Sequence, residues 1–348
     1  MELRTLGTTG VKVSHLCLGA MNFGSWANTD RDECTRMVHA ALDGGINFVD
    51  TADVYSEGES EEIVGAALEG RRDQVVLATK FHAAMGDGPN QRGNSRRWIM
   101  QEVDNSLRRL RTDWIDLYQV HRPDPSCDID ETLGALTDLV RAGKVRYLGS
   151  STFPAHQIVA SQWTAERRGR ERFVCEQPPY SIFARAIEAD VLPVCRKYGM
   201  GVVVWAPLNR GWLTGKYRRD TEAPEGSRAT RQRPFFDADN DTKYDLVEEL
   251  LKIASDAGCS LTHLAQAWVV RHPAVTSAII GPRTPDQLSD LLAGQDVMLD
   301  DTILDRIDEL VAPGTNLHRS DAGYTAPDLV EPSLRRRRTG AWEPRPEW

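Results

Sequence analysis

From residue 14 to about residue 294 the chain alternates short, continuously apolar runs with longer stretches whose apolar positions recur every third or fourth residue. The short runs read as strands covered on both faces and the longer ones as helices with one buried face. Their succession is what βαβ units of a parallel sheet look like. Eight strand-like runs can be marked: Ser14–Leu18, Ile46–Val49, Gln74–Thr79, Trp114–Val120, Val145–Gly149, Phe173–Glu176, Gly201–Trp205 and Thr276–Ile280. Between them, Asp32–Asp43, Glu59–Leu68, Arg96–Leu110, Glu131–Arg141, Ala155–Arg168 and Ile187–Tyr198 carry the helical spacing.

Eight strands with helical segments between them and another after the last predict an α/β fold, a closed (β/α)8 TIM barrel. An open sheet of six strands leaves two units unused. It also lacks its usual signal, because Leu18-Gly19-Ala20-Met21-Asn22 follows the first strand where a G-x-G-x-x-G loop would be required. Three segments fall outside the repeat. Glu2–Leu6 and Lys12–Val13, joined by Gly7-Thr8-Thr9-Gly10, read as an N-terminal hairpin that could close the barrel's bottom. Residues 213–240, with Phe235 and Phe236, form a long loop after strand seven and a candidate lid. The expected division is a barrel over 1–315 and a C-terminal extension over 316–348, which wraps over the barrel or is partly mobile.

Composition adds mainly exclusions. With 41% apolar and 27% charged residues the chain has ample core-forming material, which excludes a disordered or fibrous protein. Its longest apolar stretches, such as Gly201–Leu208, fall short of the roughly 18 residues that span a bilayer, and Met1–Gly10 has no apolar signal segment, so a cytoplasmic protein is expected. A formal charge of −9 offers no field for nucleic acid or an anionic membrane. Against it, Arg335–Arg338 and the closing Trp342–Trp348 stretch read as a solvated or self-docked tail. The six cysteines are scattered without metal-ligand spacing, so neither disulfides nor a metal site are expected.

In such a barrel the chemistry sits where strands end, and the polar residues there are unusual. Strand two ends in Asp50, strand three runs into Lys80, strand four into His121, and Tyr55 follows Asp50 within the second loop. Singly, Asp50 could cap a helix, Lys80 could snorkel, Tyr55 could pack at the rim and His121 could be a core histidine. Together at consecutive strand ends they mark a functional site, because burying a lysine beside an acid without a purpose costs desolvation. The resemblance carried by the surrounding residues implies carbonyl reduction there. A carbonyl accepts hydride readily only if its oxygen receives a proton as charge develops. Tyr55 is the expected acid, with Lys80 lowering its pKa, Asp50 holding Lys80, and His121 orienting the carbonyl. His121 could replace Tyr55 as donor at low pH.

These residues lie in longer runs, Leu6-Gly7-Thr8-Thr9-Gly10-Val11-Lys12-Val13-Ser14, Gly45 to Tyr55, Ala78-Thr79-Lys80, Asp116 to His121 and Ile279 to Thr284. Across roughly residues 1–312 the chain resembles the aldo-keto reductases, in the branch that includes potassium-channel β subunits and related bacterial reductases. The resemblance implies an NADP(H) cofactor extended over the carboxyl ends of the strands and reduction of a small carbonyl substrate. It also admits a second class, a redox-sensing NADP-binding regulatory subunit of a partner protein. By position it implies Ser151 and Gln177 on the nicotinamide carboxamide and Trp205 stacked on the ring. Leu208, Gly211 and Lys216 would cover the pyrophosphate, and Gly281 leads to Arg283 at the 2′-phosphate, with Thr284, Gln287 and Asp290 around the adenosine. Thr152, Ala206 and Asp290 depart from the usual asparagine, serine and asparagine. Pocket walls are expected from Met21, Trp26, Phe81, His82, Phe153 and Trp212, which suit a moderately apolar or aromatic carbonyl compound. A metal-dependent hydrolase would need paired histidines at strand ends, and only His121 is so placed.

Overall fold

The computed structural model describes residues 1–231 and 240–334; Phe235, Phe236, Arg335–Arg338 and Trp342–Trp348 lie outside them. Strands β1 (Leu3–Thr5) and β2 (Lys12–Ser14) form an antiparallel hairpin. Eight parallel strands follow: β3 (Leu16–Gly19), β4 (Phe48–Asp50), β5 (Val76–Phe81), β6 (Ile115–Val120), β7 (Val145–Ser151), β8 (Phe173–Gln177), β9 (Gly201–Val204) and β10 (Ser277–Ile280). They close into a barrel because β10 pairs with both β9 and β3.

All eight expected strands are present, and all but β9, which ends at Val204 rather than the expected Trp205, start or end one or two residues nearer the carboxyl end. Gln74 closes a 3-10 turn before β5, while β5, β7 and β8 run on through Lys80, Ser151 and Gln177. The apolar runs stop short because these last residues are polar, although the backbone ladder continues through them. The helices Arg31–Asp43, Glu59–Ala67, Arg96–Leu110 and Ala155–Arg168 lie close to expectation. Helix Ile129–Arg141 starts earlier because Asp128 caps it, accepting from the Asp130 amide at 2.9 Å. The expected Ile187–Tyr198 helix is shortened to Val191–Tyr198 by the Asp190 cap. Within the candidate lid, Arg228–Arg231 forms a short helix, and two longer helices, Asp241–Asp256 and Leu261–Arg271, precede β10.

Two apolar shells result. One lies between strands and helices; the other fills the barrel with Cys17, Phe48, Ala78, Leu117, Cys175 and Val203, stacked on Leu6 and Val13 from the hairpin. The hairpin therefore plugs the bottom. Gly7 makes this possible: its φ is +58°, and a Cβ there would lie 2.5 Å from the Gly199 carbonyl oxygen. With the bottom closed, the open end is the one at which the strands end. None of the described helices is long and apolar enough to cross a membrane.

Candidate active site

Strand parity builds the polar layer. Phe48, Ala78, Leu117 and Cys175 face inward, and two residues further along the same strands come Asp50, Lys80, Gln119 and Gln177, all buried. Lys80 Nζ donates to Asp50 Oδ1 at 2.5 Å, to the Thr51 carbonyl at 2.7 Å and to the Tyr55 hydroxyl at 3.3 Å. These bonds use the three donors of an ammonium. The other oxygen of Asp50 accepts from Gln119 Nε2 at 3.1 Å and Gln177 Nε2 at 2.8 Å. Gly149 leaves room for this net, since a Cβ there would fall 2.9 Å from Gln119 Cγ. His121, two beyond Gln119, stands edge-on to the Tyr55 ring with centroids 5.8 Å apart. Tyr55 heads a turn whose next residues, Ser56 and Glu57, have φ of 50° and 57°. Ser56 holds that turn by donating to the Phe23 carbonyl and accepting from the Trp26 amide.

Burial dominates the electrostatics. It pushes the Tyr55 phenol above its ordinary value, with Lys80 opposing and Asp50 adding to the rise. The expected acidification of Tyr55 by Lys80 is thus outweighed here, and the phenol keeps its proton at neutral pH. Burial pulls Lys80 down, but Asp50 and Tyr55 more than offset it and hold the ammonium charged. Burial, aided by the charges of Lys80 and Arg122, drives His121 well below the usual imidazole range. A neutral His121 can donate one N–H, and it becomes an acid only far below neutrality.

Around the mouth the expected cofactor residues are partly committed elsewhere. Ser151 Oγ donates to the Gln177 carbonyl at 2.9 Å, and the Gln177 amide nitrogen is turned to Asp50 and Gln119. Asp290, an exposed residue, pairs with His263 at 3.1 Å. Thr284 caps helix Pro285–Ala293, and Gln287 accepts from the Arg283 amide at 2.8 Å. Other features do fit a nicotinamide dinucleotide. Gly211, with φ +97°, has the Lys216 ammonium 3.1 Å from where a Cβ would stand. The guanidinium of Arg283 binds the Gly226 carbonyl, so a cation fastens the 213–227 loop beside the helix start. A Cβ on Gly281 would meet only Asn22, at 3.6 Å. Leu208 is half-buried against the core, and the half-buried Trp205 has an indole N–H without a partner among the described residues.

A sequence profile of the aldo/keto reductase family matches residues 15–312. The chain belongs to that family. Its relatives include an uncharacterized oxidoreductase YrpG of Bacillus subtilis, 40% identical over 89% of this chain and 96% of the relative. Aldo-keto reductase YhdN of the same organism is 38% identical over 84% of this chain and 88% of its own. A probable voltage-gated potassium channel subunit beta of Oryza sativa subsp. japonica is 35% identical over 89% and 97%. Oxidoreduction of carbonyl compounds is the reaction class this membership carries, and nicotinamide cofactors are the family's usual hydride carriers.

For an aldo/keto reductase, three expected pocket walls are misplaced. Phe81 follows the inward Lys80, so parity turns it outward, fully buried against Tyr118 with ring centroids 4.9 Å apart. Phe153 is packed on Phe173 at 5.9 Å, and Trp212 lies under the loop against Tyr217 and Tyr244. Met21 and His82 are half-buried, and Trp26, 46% exposed, lies 5.9 Å from Tyr55. Sequence reading missed Gln119, which two-residue counting from Leu117 would have found. It also missed Arg122, whose Nη1 donates to the His121 carbonyl and to Thr152 Oγ1. The docking of Gly323 on Trp205 and Thr152 had no local signal: a Cβ on Gly323 would lie 2.6 Å from Trp205 Cζ2 and 3.2 Å from Thr152 Cγ2.

Proposed function

We propose that the protein reduces an aldehyde or ketone to the alcohol with NADPH, Tyr55 giving the proton to the carbonyl oxygen. The observation that carries this reading is the Tyr55 hydroxyl 3.3 Å from a fully buried ammonium that Asp50 pins in place. Bound beside Trp205, the cofactor would supply hydride to the carbonyl carbon. The residues of the chain do the rest. Tyr55 enters protonated and gives up its proton as charge develops on the substrate oxygen; Lys80 stabilises the phenolate left behind. His121 donates its single N–H to the same oxygen and orients it. Asp50 keeps Lys80 charged, and Gln119 with Gln177 keeps Asp50 from swinging toward the substrate. The preference for NADPH over NADH is assigned to Arg283, with Lys216 adding charge at the pyrophosphate.

The test is Tyr55→Phe. Quenching of tryptophan fluorescence by NADPH should persist within about threefold in Kd, while reduction of a simple aldehyde falls by about 10²–10⁴-fold. Turnover within about threefold of wild type would end the reading. In the same titrations NADPH should bind at least about tenfold more tightly than NADH, a difference of about 1.4 kcal/mol. Arg283→Ala should abolish that difference.

A further inference from the structure

We infer that Arg122 selects carbonyl substrates that carry a carboxylate. The inference rests on the reductase reading above and adds the substrate class to it. Arg122 directly follows His121 at the end of β6, half-buried. Its Nη1 donates to the His121 carbonyl at 2.6 Å and to Thr152 Oγ1 at 3.2 Å, and its guanidinium carbon stands 5.8 Å from the Trp205 ring centroid. Its charge is felt at both Tyr55 and His121, so it lies within electrostatic reach of the position assigned to the reacting oxygen.

Its bonded partners are neutral. Among the described residues no ion pair includes Arg122, and Nε and Nη2 make no hydrogen bond. Glu176 is the acid nearest to it in effect, but the oxygens of Glu176 are taken by the Ser150 hydroxyl and the Phe153 amide. Burial also raises that carboxyl to about 7, so it is a weak counter-charge. What remains is one edge of a planar guanidinium, the Nε–Nη2 fork that meets a carboxylate through two parallel bonds.

A phosphate dianion would need a second cation, and Lys80 is committed to Asp50, Thr51 and Tyr55. A neutral aldehyde would leave the fork to water. A carboxylate a few atoms from the carbonyl satisfies Arg122 while its carbonyl oxygen lies between Tyr55 and His121. A structural role is the competing account, since Arg122 ties the loop after β6 to the one after β7. Such a role cannot distinguish an acid from its ester.

4-Carboxybenzaldehyde and methyl 4-formylbenzoate differ in that charge and little else. With the full chain and NADPH, kcat/KM for the acid should exceed that for the ester by at least about tenfold. In Arg122→Met the ratio should fall to about one, through KM for the acid and whatever the ester's own rate; Arg122→Lys should keep part of it. If the methionine variant does not fold, judged by circular dichroism, Arg122→Gln takes its place. Calorimetry supplies a readout without turnover: benzoate should bind wild type and not the variant, while benzamide binds neither better. A wild-type ratio near one, a ratio unchanged in the variant, or a variant that loses only NADPH affinity overturns the inference. If neither aldehyde is reduced but benzoate still discriminates wild type from variant, the anion site stands and the reductase reading falls.

Discussion

Glu176 shows how far this barrel perturbs a single residue. It is wholly buried, accepts from the Ser150 hydroxyl and the Phe153 amide, and has its carboxyl pushed up to about 7 by burial. In the unfolded chain the same group titrates near 4.3. Between those values the native state binds more protons than the unfolded state, so stability falls as pH rises through that window and levels off above it. The gap between those two values corresponds to at most about 3–4 kcal/mol. Glu176→Gln removes the titration while its amide still meets the Ser150 hydroxyl. Urea unfolding should therefore show wild type losing about 2 kcal/mol more than the variant between pH 5 and pH 8. Parallel pH profiles would show that Glu176 does not titrate there. At this scale Asp50, Tyr55, Lys80 and His121 were legible because ionisable groups at strand ends need a reason. Gln119 was not, because an uncharged amide raises no such question until strand parity shows it facing into the barrel.

Elements carry the site through their ends. Helix Glu59–Ala67 follows directly on the Tyr55 turn, and helix Arg96–Leu110 packs beside it. They are joined by Arg109, whose Nε donates to Glu61 at 2.6 Å and whose Nη2 donates to Glu102 at 2.5 Å, both carboxylates having no exposed surface. The stem of Arg109 also fills the space beside Gly58, where a Cβ would lie 2.8 Å from Arg109 Cδ. Arg109→Met keeps that stem but leaves two buried acids without a cation. The expected loss is about 3–5 kcal/mol, read as a fall in Tm or urea midpoint, and partial relief at low pH where the acids become neutral. A loss under about 1 kcal/mol would mean that the pair is solvated in the native state. The strands were legible because both faces are buried, which gives continuous apolar runs. Their carboxyl ends were not, since the ladder continues where apolarity stops. The same shift explains Phe81, taken for a pocket wall until its place after the inward Lys80 turned it toward the helices.

For the whole molecule, the described part of the C-terminal extension matters most. Leu317 donates to the Phe183 carbonyl at 3.0 Å, Asp321 pairs with the buried Lys243 at 3.0 Å, and Gly323 lies between Trp205 and Thr152. A small cavity of about 10 Å³ beside it is lined by Trp205, Ala206, Asn209, Arg210 and Asp321. Local pattern could not show this, because contacts between residue 323 and residues 152 and 205 depend on the closed barrel. The extension thus lies against the six-membered edge of the Trp205 ring, and under the proposed function it would compete with a pyridine ring for part of that surface. If the uncovered form is a fraction f of the population, apparent affinity is reduced by that fraction. A chain ending at His318 retains the Leu317 bond and loses Asp321 and Gly323. It should bind NADPH more tightly by about 1/f, tenfold for an f of about 0.1, chiefly through faster association. Acrylamide should also quench its tryptophan fluorescence more strongly. Removing Asp321 takes the carboxylate from the buried Lys243 and leaves it Asn209 and the rings of Phe183 and Trp212, so the comparison includes Lys243→Met in the short chain to separate lost stability from an opened cleft. Weaker NADPH binding by the short chain, with or without Lys243→Met, would show that the extension clamps the cofactor instead of competing with it.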